Sequence, residues 1–448
     1  MSNREVVIVE GIRTPFAKAG TALKNVHASD LGRTAVTELI NKTNLDVNLV
    51  EEVLMGNTGS PSDAVNIARV VALGSGLPLS VSAATVHRNC ASALESISTG
   101  YDKIMSGTMD CIISGGTENM SQSPLIWNHE HLRRLENLSR ARTPIAKIKG
   151  LLGLLGANIN QVKEFATTSP LKPSKFKPRI AIMEGLTDPF EGINMGQTAE
   201  VLAKEFGLSR EAQDVFAKNS HDKAVAAQEN GILAQEITPV YTGKNFDKII
   251  SEDVGPRKGQ SLEKLGKMKP FFDRKNGSVT VANACPITDG AAAVLLMTKE
   301  KALAEGYKPI AKIRGYGFAG LEPKRMGLGP VYSTPLALKR AGLSMKDMGL
   351  VELNEAFAAQ VMACQKAFAS KTFAQEKLGL SEAVGEVRDD ILNVNGGAIA
   401  LGHPVGTTGT RLVLTLMKEM QRRDVEFGLA TLCIGGGQGG AMVIERMN

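Results

Sequence analysis

Aromatic side chains are scarce in this sequence, since Phe, Trp and Tyr make up only 4% of its 448 residues. Proteins that bind single-stranded nucleic acid stack the bases on aromatic rings, so this scarcity argues against such a partner. Long apolar runs are also missing, and no stretch approaches the roughly 18 apolar residues of a membrane-spanning helix. Residues 4–9 already have the pattern of a strand, so we expect no signal or transit peptide.

Cysteine is sparse as well. The five cysteines, at positions 90, 111, 285, 364 and 433, are odd in number, widely spaced and without a CxxC pair. Disulfide frameworks and zinc ribbons need regularly paired cysteines, so the spacing argues against both. We therefore expect no metal site and a reducing compartment. That compartment is the cytoplasm, or the mitochondrion only if the chain is a processed one.

Charge is present but unevenly distributed. The formal net charge is +6, and residues 133–179 contain eleven Lys or Arg against two Glu, a local balance of +9. A basic balance points to an anionic partner. Because it belongs to one short segment, it predicts a local docking or ligand site rather than a nucleic-acid-binding surface. The 43% of hydrophobic residues is typical of a folded globular protein.

The strongest organisational feature is an approximate repeat between the two ends of the chain. Strand, helix, strand, helix, helix and strand follow one another in residues 6–116, and the same order returns in residues 310–437. Alternating strands and helices predict an α/β fold, with two duplicated halves stacked as αβαβα layers. The predicted parts are an N-terminal half (1–121 and 288–307), an inserted loop subdomain (122–287) and a C-terminal half (308–448).

Unusual residues stand at equivalent points of the two copies. Cys90 lies among small residues at a predicted helix start, where the helix dipole lowers a thiol pKa and favours the thiolate. The matching junction of the second copy holds His403, close to two glycines. Cys433 ends the last strand and enters a Gly-rich turn whose amides can bind an anion. Asn354 stands at a further strand-to-helix junction.

A nucleophilic Cys, a His and a second Cys together form a covalent acyl-transfer set. Taken singly, each of these residues is more often structural than catalytic. Their equivalent placement in the two copies favours the catalytic interpretation. Cys111 and Cys364, in a predicted strand and helix, are interpreted as core residues.

Three other patterns are interpreted as structural. Residues 315–320 have the spacing of the dinucleotide fingerprint GxGxxG, but the prolines and glycines that follow exclude the helix this motif needs. His129 and His131 have no third ligand cluster and are placed in a surface loop. His221 lies in a polar helical stretch and is expected to be solvated.

The sequence resembles the thiolase family over essentially its whole length. The motifs behind this resemblance are Cys90, Asn-Glu-Ala-Phe at 354–357, Gly-His-Pro at 402–404 and Cys-x-Gly at 433–435. The resemblance implies the thiolase fold, and an acyltransferase that cleaves 3-ketoacyl-CoA with CoA to acetyl-CoA and a shortened acyl-CoA.

Within the family, the sequence is most similar to the 3-ketoacyl-CoA thiolases that form the β subunit of trifunctional β-oxidation complexes. The similarity rests on Arg-Thr-Pro-Phe at 13–16, the Cys-Ala-Ser-Ala run from Cys90 and an insertion between residues 369 and 393. That subgroup usually has His where this chain has Asn354, the residue of ordinary thiolases. The subgroup implies a role in fatty-acid β-oxidation.

The resemblance implies a role for each residue of the set. Cys90 attacks the ketone and is acylated, while His403 takes its proton. Cys433 protonates the departing acetyl-CoA carbanion. One oxyanion hole consists of His403 and a water held by Asn354, and the other of the backbone amides of Cys90 and Gly435.

The resemblance also implies that CoA is a substrate and that no cofactor is tightly bound. Arg257 aligns with an arginine that meets the nucleotide end of CoA. Cys285 aligns with a serine that usually hydrogen-bonds the pantetheine, and a thiol is a weaker partner. The other residues expected to contact CoA are Met195, Phe272, Val281, Ala356 and Phe357.

Two other functions are compatible with parts of this pattern. An acetoacetyl-CoA thiolase working in the condensing direction is the enzymatic alternative. Condensing synthases of the same fold lack the second catalytic cysteine, so Cys433 argues against them. The non-enzymatic alternative is a scaffold subunit that docks on a membrane or a partner.

The family implies a homodimer or homotetramer, and its trifunctional members bind a hydratase/dehydrogenase subunit. Residues 145–156 join lysines with apolar side chains, a pattern typical of a helix that lies in a membrane interface. The alternative is a helix that packs on its own domain. We predict peripheral membrane or partner contact here and no nucleic acid.

Overall fold

The structure, a computed structural model, describes residues 4–127, 129–154 and 179–447. The chain divides into two compact units. Unit one consists of Met1–Gln122 and Asp188–Asn448, and unit two of Ser123–Thr187. The predicted insert, 122–287, spans unit two and also residues 188–287, which pack within unit one. The three-part functional division stays a prediction.

Strands and helices alternate along the chain. The strands are β1 Val6–Arg13, β2 Ala17–Lys18, β3 Glu52–Gly56, β4 Ser82–Val86, β5 Cys111–Asn119, β6 Leu125–Ile126, β7 Arg179–Ile180, β8 Val240–Thr242, β9 Lys248–Ile250, β10 Thr288–Thr298, β11 Ala311–Gly320, β12 Leu350–Leu353, β13 Phe427–Ile434 and β14 Gln438–Arg446. The helices are α1 Ala28–Thr43, α2 Ile67–Gly74, α3 Ser92–Met105, α4 His129–Arg140, α5 Pro144–Leu154, α6 Ala181–Gly185, α7 Met195–Glu205, α8 Arg210–Glu229, α9 Leu262–Gly266, α10 Lys299–Ala304, α11 Gly329–Ala341, α12 Ala358–Ala369, α13 Lys371–Phe373, α14 Ala398–Leu401 and α15 Thr408–Arg423.

The strand pairing repeats, which confirms the predicted duplication. In the first half, β3 pairs parallel with β5, β5 antiparallel with β10, and β10 antiparallel with β1. In the second half, β12, β13, β14 and β11 follow the same pattern. Even the register shift recurs, at residues 8–10 of β1 and 313–315 of β11. The two halves are joined by a short pairing of β1 with β11.

Side chains alternate between two cores along each strand. In β13, Leu429 and Cys433 face an outer core that contains α11 and α12, whereas Ala430 and Leu432 face a central core with α3 and α15. The first half has its own outer core against α1 and α2. Strands buried on both faces are typical of α/β proteins with helices on either side. The predicted αβαβα layering is therefore confirmed within unit one.

The interpretation of Cys111 and Cys364 as core residues is confirmed, since both are fully buried. Residues 315–320 lie inside strand β11. The expectation that no helix follows them is wrong, because Pro323–Leu328 form a 3₁₀-helix and α11 begins at Gly329. Two further interpretations are also wrong. His129, placed in a surface loop, instead begins helix α4. His221, expected to be solvated, is only 4% exposed because its face of α8 packs inward.

Unit two contains a helical hairpin. Gly150 of α5 lies against Leu138 of α4, at a distance that leaves no room for a Cβ. Ile145, Ile148 and Leu151, spaced along α5, are more than half exposed. The predicted docking segment 145–156 ends outside the described residues. Among the helices that the structure describes, none is long and apolar enough to cross a membrane.

Candidate active site

A glycine inside β5, Gly116, allows the two predicted catalytic loops to touch. A Cβ at Gly116 would lie 2.0 Å from the carbonyl oxygen of Gly406 and 2.9 Å from the Cβ of Ala93. Any larger residue would force these segments apart. Because Gly406 follows His403 and Ala93 follows Cys90 by three residues each, the loop before α15 lies against the start of α3.

Cys90 lies in the turn just before α3, which begins at Ser92. Its side chain is partly buried. Burial raises the pKa of the Cys90 thiol, while the backbone N–H groups of Gly435 and of Cys90 itself oppose the rise. The predicted lowering of this pKa at the helix start is therefore wrong, because desolvation outweighs it. The resting group is a thiol, so its activation needs a base.

His403 has the properties of that base. The residue is buried, and its backbone N–H donates to Thr288 Oγ1 at 3.0 Å. Burial, and then the positive charge of Arg411, lower the pKa of His403 to about 3. The imidazole is therefore neutral near pH 7 and able to accept a proton.

Hydrogen bonds assign the tautomer of His403. The hydroxyl of Thr408 donates to the carbonyl oxygen of Pro404 at 3.0 Å, so its oxygen acts as the acceptor for His403 Nδ1, 2.6 Å away. Nδ1 then carries the ring proton, and Nε2 has a free lone pair. Nε2 is buried and has no hydrogen-bond partner within the described residues.

Asn354 presents a second unsatisfied polar group. Its backbone N–H donates to the carbonyl oxygen of Thr431 at 2.9 Å, which holds the residue at the end of β12. Its side chain is fully buried, yet neither Oδ1 nor Nδ2 has a partner among the residues described. A buried amide left unpaired costs about 1–3 kcal/mol. The geometry suits an amide that binds a water or a polar substrate group.

Cys433 lies near the end of β13 and is 1% exposed. Burial raises the pKa of its thiol well above the ordinary value, and charge on Cys90, Cys364 or Cys285 would raise it further. Cys433 therefore lies close enough to Cys90 for a charge on one thiol to act on the other. A thiol held in its protonated form is suited to donate a proton rather than to act as the first nucleophile.

The turn after Cys433 faces Cys90. Gly436 and Gly437 have φ angles of 86° and 76°, which favour glycine. The carbonyl oxygen of Gly435 accepts a hydrogen bond from Asn89 Nδ2 at 2.8 Å. The N–H of Gly435 is the group that favours the Cys90 thiolate. The N–H groups of Cys90 and Gly435 both lower the pKa of the Cys90 thiol, and their role as an oxyanion hole stays a prediction.

Two buried glutamates that sequence reasoning gave no role hold these loops in place. Glu118 accepts hydrogen bonds from the backbone N–H groups of Thr58, Gly59 and Gly406, each at 2.9 Å. Burial raises the pKa of Glu118. It links the first half of unit one to the loop that holds His403. In the sequence it is one acid among many, with no pattern to single it out.

Glu355, the second of these glutamates, lies inside the Asn-Glu-Ala-Phe motif at 354–357. Its carboxylate accepts from Ser220 Oγ at 2.6 Å, from Asn393 Nδ2 at 2.9 Å and from the N–H of Ile399 at 3.2 Å. Since Ile399 lies in α14, just before His403, these bonds tie the Asn354 junction to the His403 loop.

Some of the predicted CoA-contacting residues form one apolar wall. Phe272 and Phe357 pack edge to face with ring centroids 5.9 Å apart. A Cβ at Gly196 would lie 2.2 Å from the Phe272 ring, so this ring covers the start of α7 beside Met195. A Cβ at Gly435 would in turn lie 3.3 Å from Met195 Sδ. The wall therefore extends to the catalytic turn.

Cys285 and Ala356 lie between the catalytic loops. The backbone N–H of Cys285 donates to the carbonyl oxygen of Ala356 at 3.0 Å. Two residues on, Ile287 forms a bridge with His403. Burial and the charge of Cys90 raise the pKa of Cys285 to about 12. Val281, by contrast, is 61% exposed.

Arg257 lies on the surface, against His221. Its backbone N–H donates to His221 Nδ1 at 3.3 Å. Burial, with the Arg257 charge, lowers the pKa of His221 to about 4. The exposed guanidinium is available to an anionic ligand. In the part of the chain that the structure describes, no His, Cys, Asp and Glu cluster is arranged to bind a metal.

Comparison with known proteins gives consistent matches. The family descriptions "Thiolase, N-terminal domain" and "Thiolase, C-terminal domain" match residues 6–300 and 307–446. The chain is 40% identical over 441 residues to the 3-ketoacyl-CoA thiolase of Serratia proteamaculans, covering 98% of this chain and 96% of that protein. It is also 40% identical over 445 residues to the 3-ketoacyl-CoA thiolase of Colwellia psychrerythraea, covering 99% and 98%.

Two solved structures of similar enzymes also match this chain over its whole length. Human mitochondrial 3-ketoacyl-CoA thiolase superposes with a TM-score of 0.82 at 34% identity, and the Bacillus anthracis acetyl-CoA acetyltransferase with a TM-score of 0.83 at 33%. Each covers 99% of this chain and is itself covered to 99%.

Proposed function

This chain belongs to the thiolase family, and from that premise we propose that it is a 3-ketoacyl-CoA thiolase of fatty-acid β-oxidation. It cleaves 3-ketoacyl-CoA with CoA to acetyl-CoA and a shortened acyl-CoA, so CoA is a substrate and no cofactor is tightly bound. The observation behind the residue roles is the buried, unpartnered Nε2 of His403, on a loop that lies against the start of the Cys90 helix.

The first half-reaction forms an acyl-enzyme. Nε2 of His403 takes the thiol proton of Cys90, and the sulfur attacks the C3 ketone of the substrate. The C2–C3 bond then breaks, its electron pair passes to the acetyl-CoA enolate, and the Cys433 thiol donates a proton to C2. Acetyl-CoA leaves, and the shortened acyl group stays on Cys90.

The second half-reaction restores the enzyme. The incoming CoA thiol gives its proton to the Cys433 thiolate and attacks the thioester carbon. The bond to Cys90 breaks, and the His403 imidazolium returns its proton to the Cys90 sulfur. Every proton taken in the first half is thus replaced in the second.

Oxyanions form in both halves and need prepositioned donors. His403 gains an N–H at Nε2 once it has taken the Cys90 proton, so the same atom serves first as base and then as donor. A water on the Asn354 amide completes that hole. The amides of Cys90 and Gly435 form the other hole.

A chain-length series of 3-ketoacyl-CoA substrates tests the proposal. We expect CoA-dependent loss of substrate at C4 and at longer chains, with acetyl-CoA as a product. A strong preference for C4 alone would instead favour acetoacetyl-CoA thiolase working in the condensing direction. Absence of thiolysis at every length would overturn the proposed function and favour the scaffold alternative.

We also propose that the chain assembles with further copies of itself and with a hydratase/dehydrogenase subunit. A homodimer or homotetramer is supported by β4, which ends the order of the main sheet and lies near the exposed side chains of Val65 and Leu79. Analytical ultracentrifugation of the full chain tests it, with Leu79→Lys expected to weaken assembly. Co-purification with a hydratase/dehydrogenase chain tests the trifunctional arrangement.

Peripheral membrane contact through residues 145–156 is supported by α5, which exposes Ile145, Ile148 and Leu151 beside two lysines. Co-sedimentation with anionic vesicles measures it. The triple Ser variant of those three residues should pellet less than the wild type, and Lys147→Gln should show a smaller loss. Equal pelleting of all three proteins would rule out membrane contact through this segment.

A further inference from the structure

Asn89, the residue before the proposed nucleophile, has a backbone conformation that few side chains adopt. Its φ angle is 44°, in the left-handed region, where a non-glycine residue is strained unless it is Asn or Asp. The residue is exposed, so burial of its side chain does not account for it. Asn adopts this conformation more readily than most other side chains, so it suits a turn directly before the proposed nucleophile.

The side chain of Asn89 spans the gap to the turn after Cys433. Its Nδ2 donates to the carbonyl oxygen of Gly435 at 2.8 Å. Cβ atoms built on Gly435 and Gly436 would lie 3.8 Å and 3.9 Å from the same nitrogen, so the amide lies directly over this turn. The turn itself contains left-handed glycines, which have no side chains to hold it in place.

We propose that Asn89 is a positioning residue, which holds Gly435 by its carbonyl oxygen and so keeps the backbone of this glycine in the conformation that directs its N–H at the Cys90 sulfur. The proposal rests on the thiolase function only for its consequence in catalysis, since the contact itself concerns Cys90 and a backbone amide. Asn89 acts on Cys90 through Gly435 and touches no reacting atom.

The physical effect is on the charged form of Cys90. An N–H that donates to sulfur stabilises the thiolate over the thiol. When Nδ2 no longer holds the carbonyl oxygen of Gly435, the φ and ψ angles of this glycine are less restricted, its N–H is less well directed, and the donation to sulfur weakens. The Cys90 thiolate then becomes rarer at a given pH, and its reaction with an alkylating reagent slows.

Three variants separate the hydrogen bond from the backbone conformation. Asn89→Gly keeps the left-handed conformation and removes only the donor. Asn89→Asp keeps the shape but places a negative oxygen against the Gly435 carbonyl. His87→Ala, in the same exposed turn, is the matched control, because His87 Nδ1 accepts from the N–H of Asn89, at 3.5 Å, and the variant leaves the Asn89 side chain in place.

The experiment measures iodoacetamide modification of the Cys90 peptide against pH by mass spectrometry, in the full chain. We expect the profile to shift upward by about half a pH unit for Asn89→Gly, which is about a threefold slower reaction at pH 8, and further for Asn89→Asp. His87→Ala should match the wild type. Near-UV circular dichroism confirms that each variant is folded.

An Asn89→Gly profile equal to that of the wild type would overturn the proposal, as would an equal shift in His87→Ala. Thiolysis by the wild type is measured alongside. If the wild type cleaves no 3-ketoacyl-CoA, the proposed function fails, while the alkylation profiles still decide the role of Asn89.

Discussion

The loops before α3 and α15 occupy equivalent places in the two halves of unit one, yet one holds a thiol and the other an imidazole. Burial raises the pKa of Cys90 and lowers that of His403 to about 3. In both cases desolvation disfavours the charged form. The two groups therefore rest as a neutral pair rather than as a thiolate and an imidazolium, and the proton moves when substrate arrives.

The supports of the two loops also differ. The Cys90 turn is exposed at Asn89 and is held by side-chain hydrogen bonds of Asn89, Ser92 and Arg88. The His403 loop is buried and held by Thr288, Thr408 and Glu118. A base that must keep one tautomer needs fixed partners on its other nitrogen.

Replacing Cys90 or Cys433 by Ala should have the largest effect, and it tests directly whether the Cys90 loop carries the nucleophile. Cys90→Ala should lower thiolysis by at least about 10³-fold and abolish acyl-enzyme formation, because no other thiol can form the thioester. Cys433→Ala should lose thiolysis to a similar extent but still be acylated by acetyl-CoA, since its role is at the α-carbon. Intact-protein mass after incubation with acetyl-CoA measures the acylation.

Cys111→Ala, a buried cysteine in β5, is the control and should keep both activities. Acylation of the Cys90→Ala protein, or full thiolysis by Cys433→Ala, would contradict the assignment of the two roles.

Replacing Thr408 should cause a smaller and more specific loss of thiolysis. Thr408→Val keeps the shape but removes the acceptor for His403 Nδ1, so the ring proton is no longer held away from Nε2. We expect thiolysis to fall by about 10- to 100-fold. Thr408→Ser restores the hydroxyl and should recover most of the activity. Equal losses in both variants would mean that Thr408 acts through packing rather than through the tautomer.

Acid stability tests the neutral state of His403. Its pKa is about 3 in the folded chain against 6.5 ordinarily, so its contribution is present above pH 6.5 and is lost as the pH falls toward 3. At pH 5.5 the wild type should lose about 1.4 kcal/mol of unfolding free energy from this group. His403→Asn should lack that loss, and Cys90→Ala should keep it.

Urea unfolding at pH 7.5 and 5.5 measures the difference. If the His403→Asn variant has the same acid sensitivity as the wild type, the folded imidazole is not held neutral.

The smallest expected effect is that of pH on the acylation rate of Cys90, which we expect to be nil. Because His403 titrates near pH 3, the rate of Cys90 acylation by acetyl-CoA should not fall between pH 7.5 and 5.5 through protonation of this base. Stopped-flow acylation in buffers of constant ionic strength measures it. A decline with a midpoint near 6.5 would show that the imidazole is solvated in the working enzyme.

Much of the fold could be predicted because the apolar pattern repeats. The order of strands and helices in residues 6–116 and 310–437 could be predicted, since each element is marked by an apolar run or a helical period, and the strand pairing repeats accordingly. The start of α3 was misplaced by two residues, because left-handed Asn89 leaves no mark in a sequence. His221 was misjudged because its neighbours along the helix are polar, and the packing that buries it comes from distant segments.

The sequence by itself determined the chemistry. Cys90, His403, Cys433 and Asn354 stand at equivalent or matching points of a repeat, and their residue types define an acyl-transfer set. Tertiary structure alone decided their protonation states, the tautomer of His403 and the roles of Glu118, Glu355 and Asn89. The reason is that pKa values and hydrogen bonds depend on burial and on contacts between segments hundreds of residues apart, such as Glu118 with Gly406.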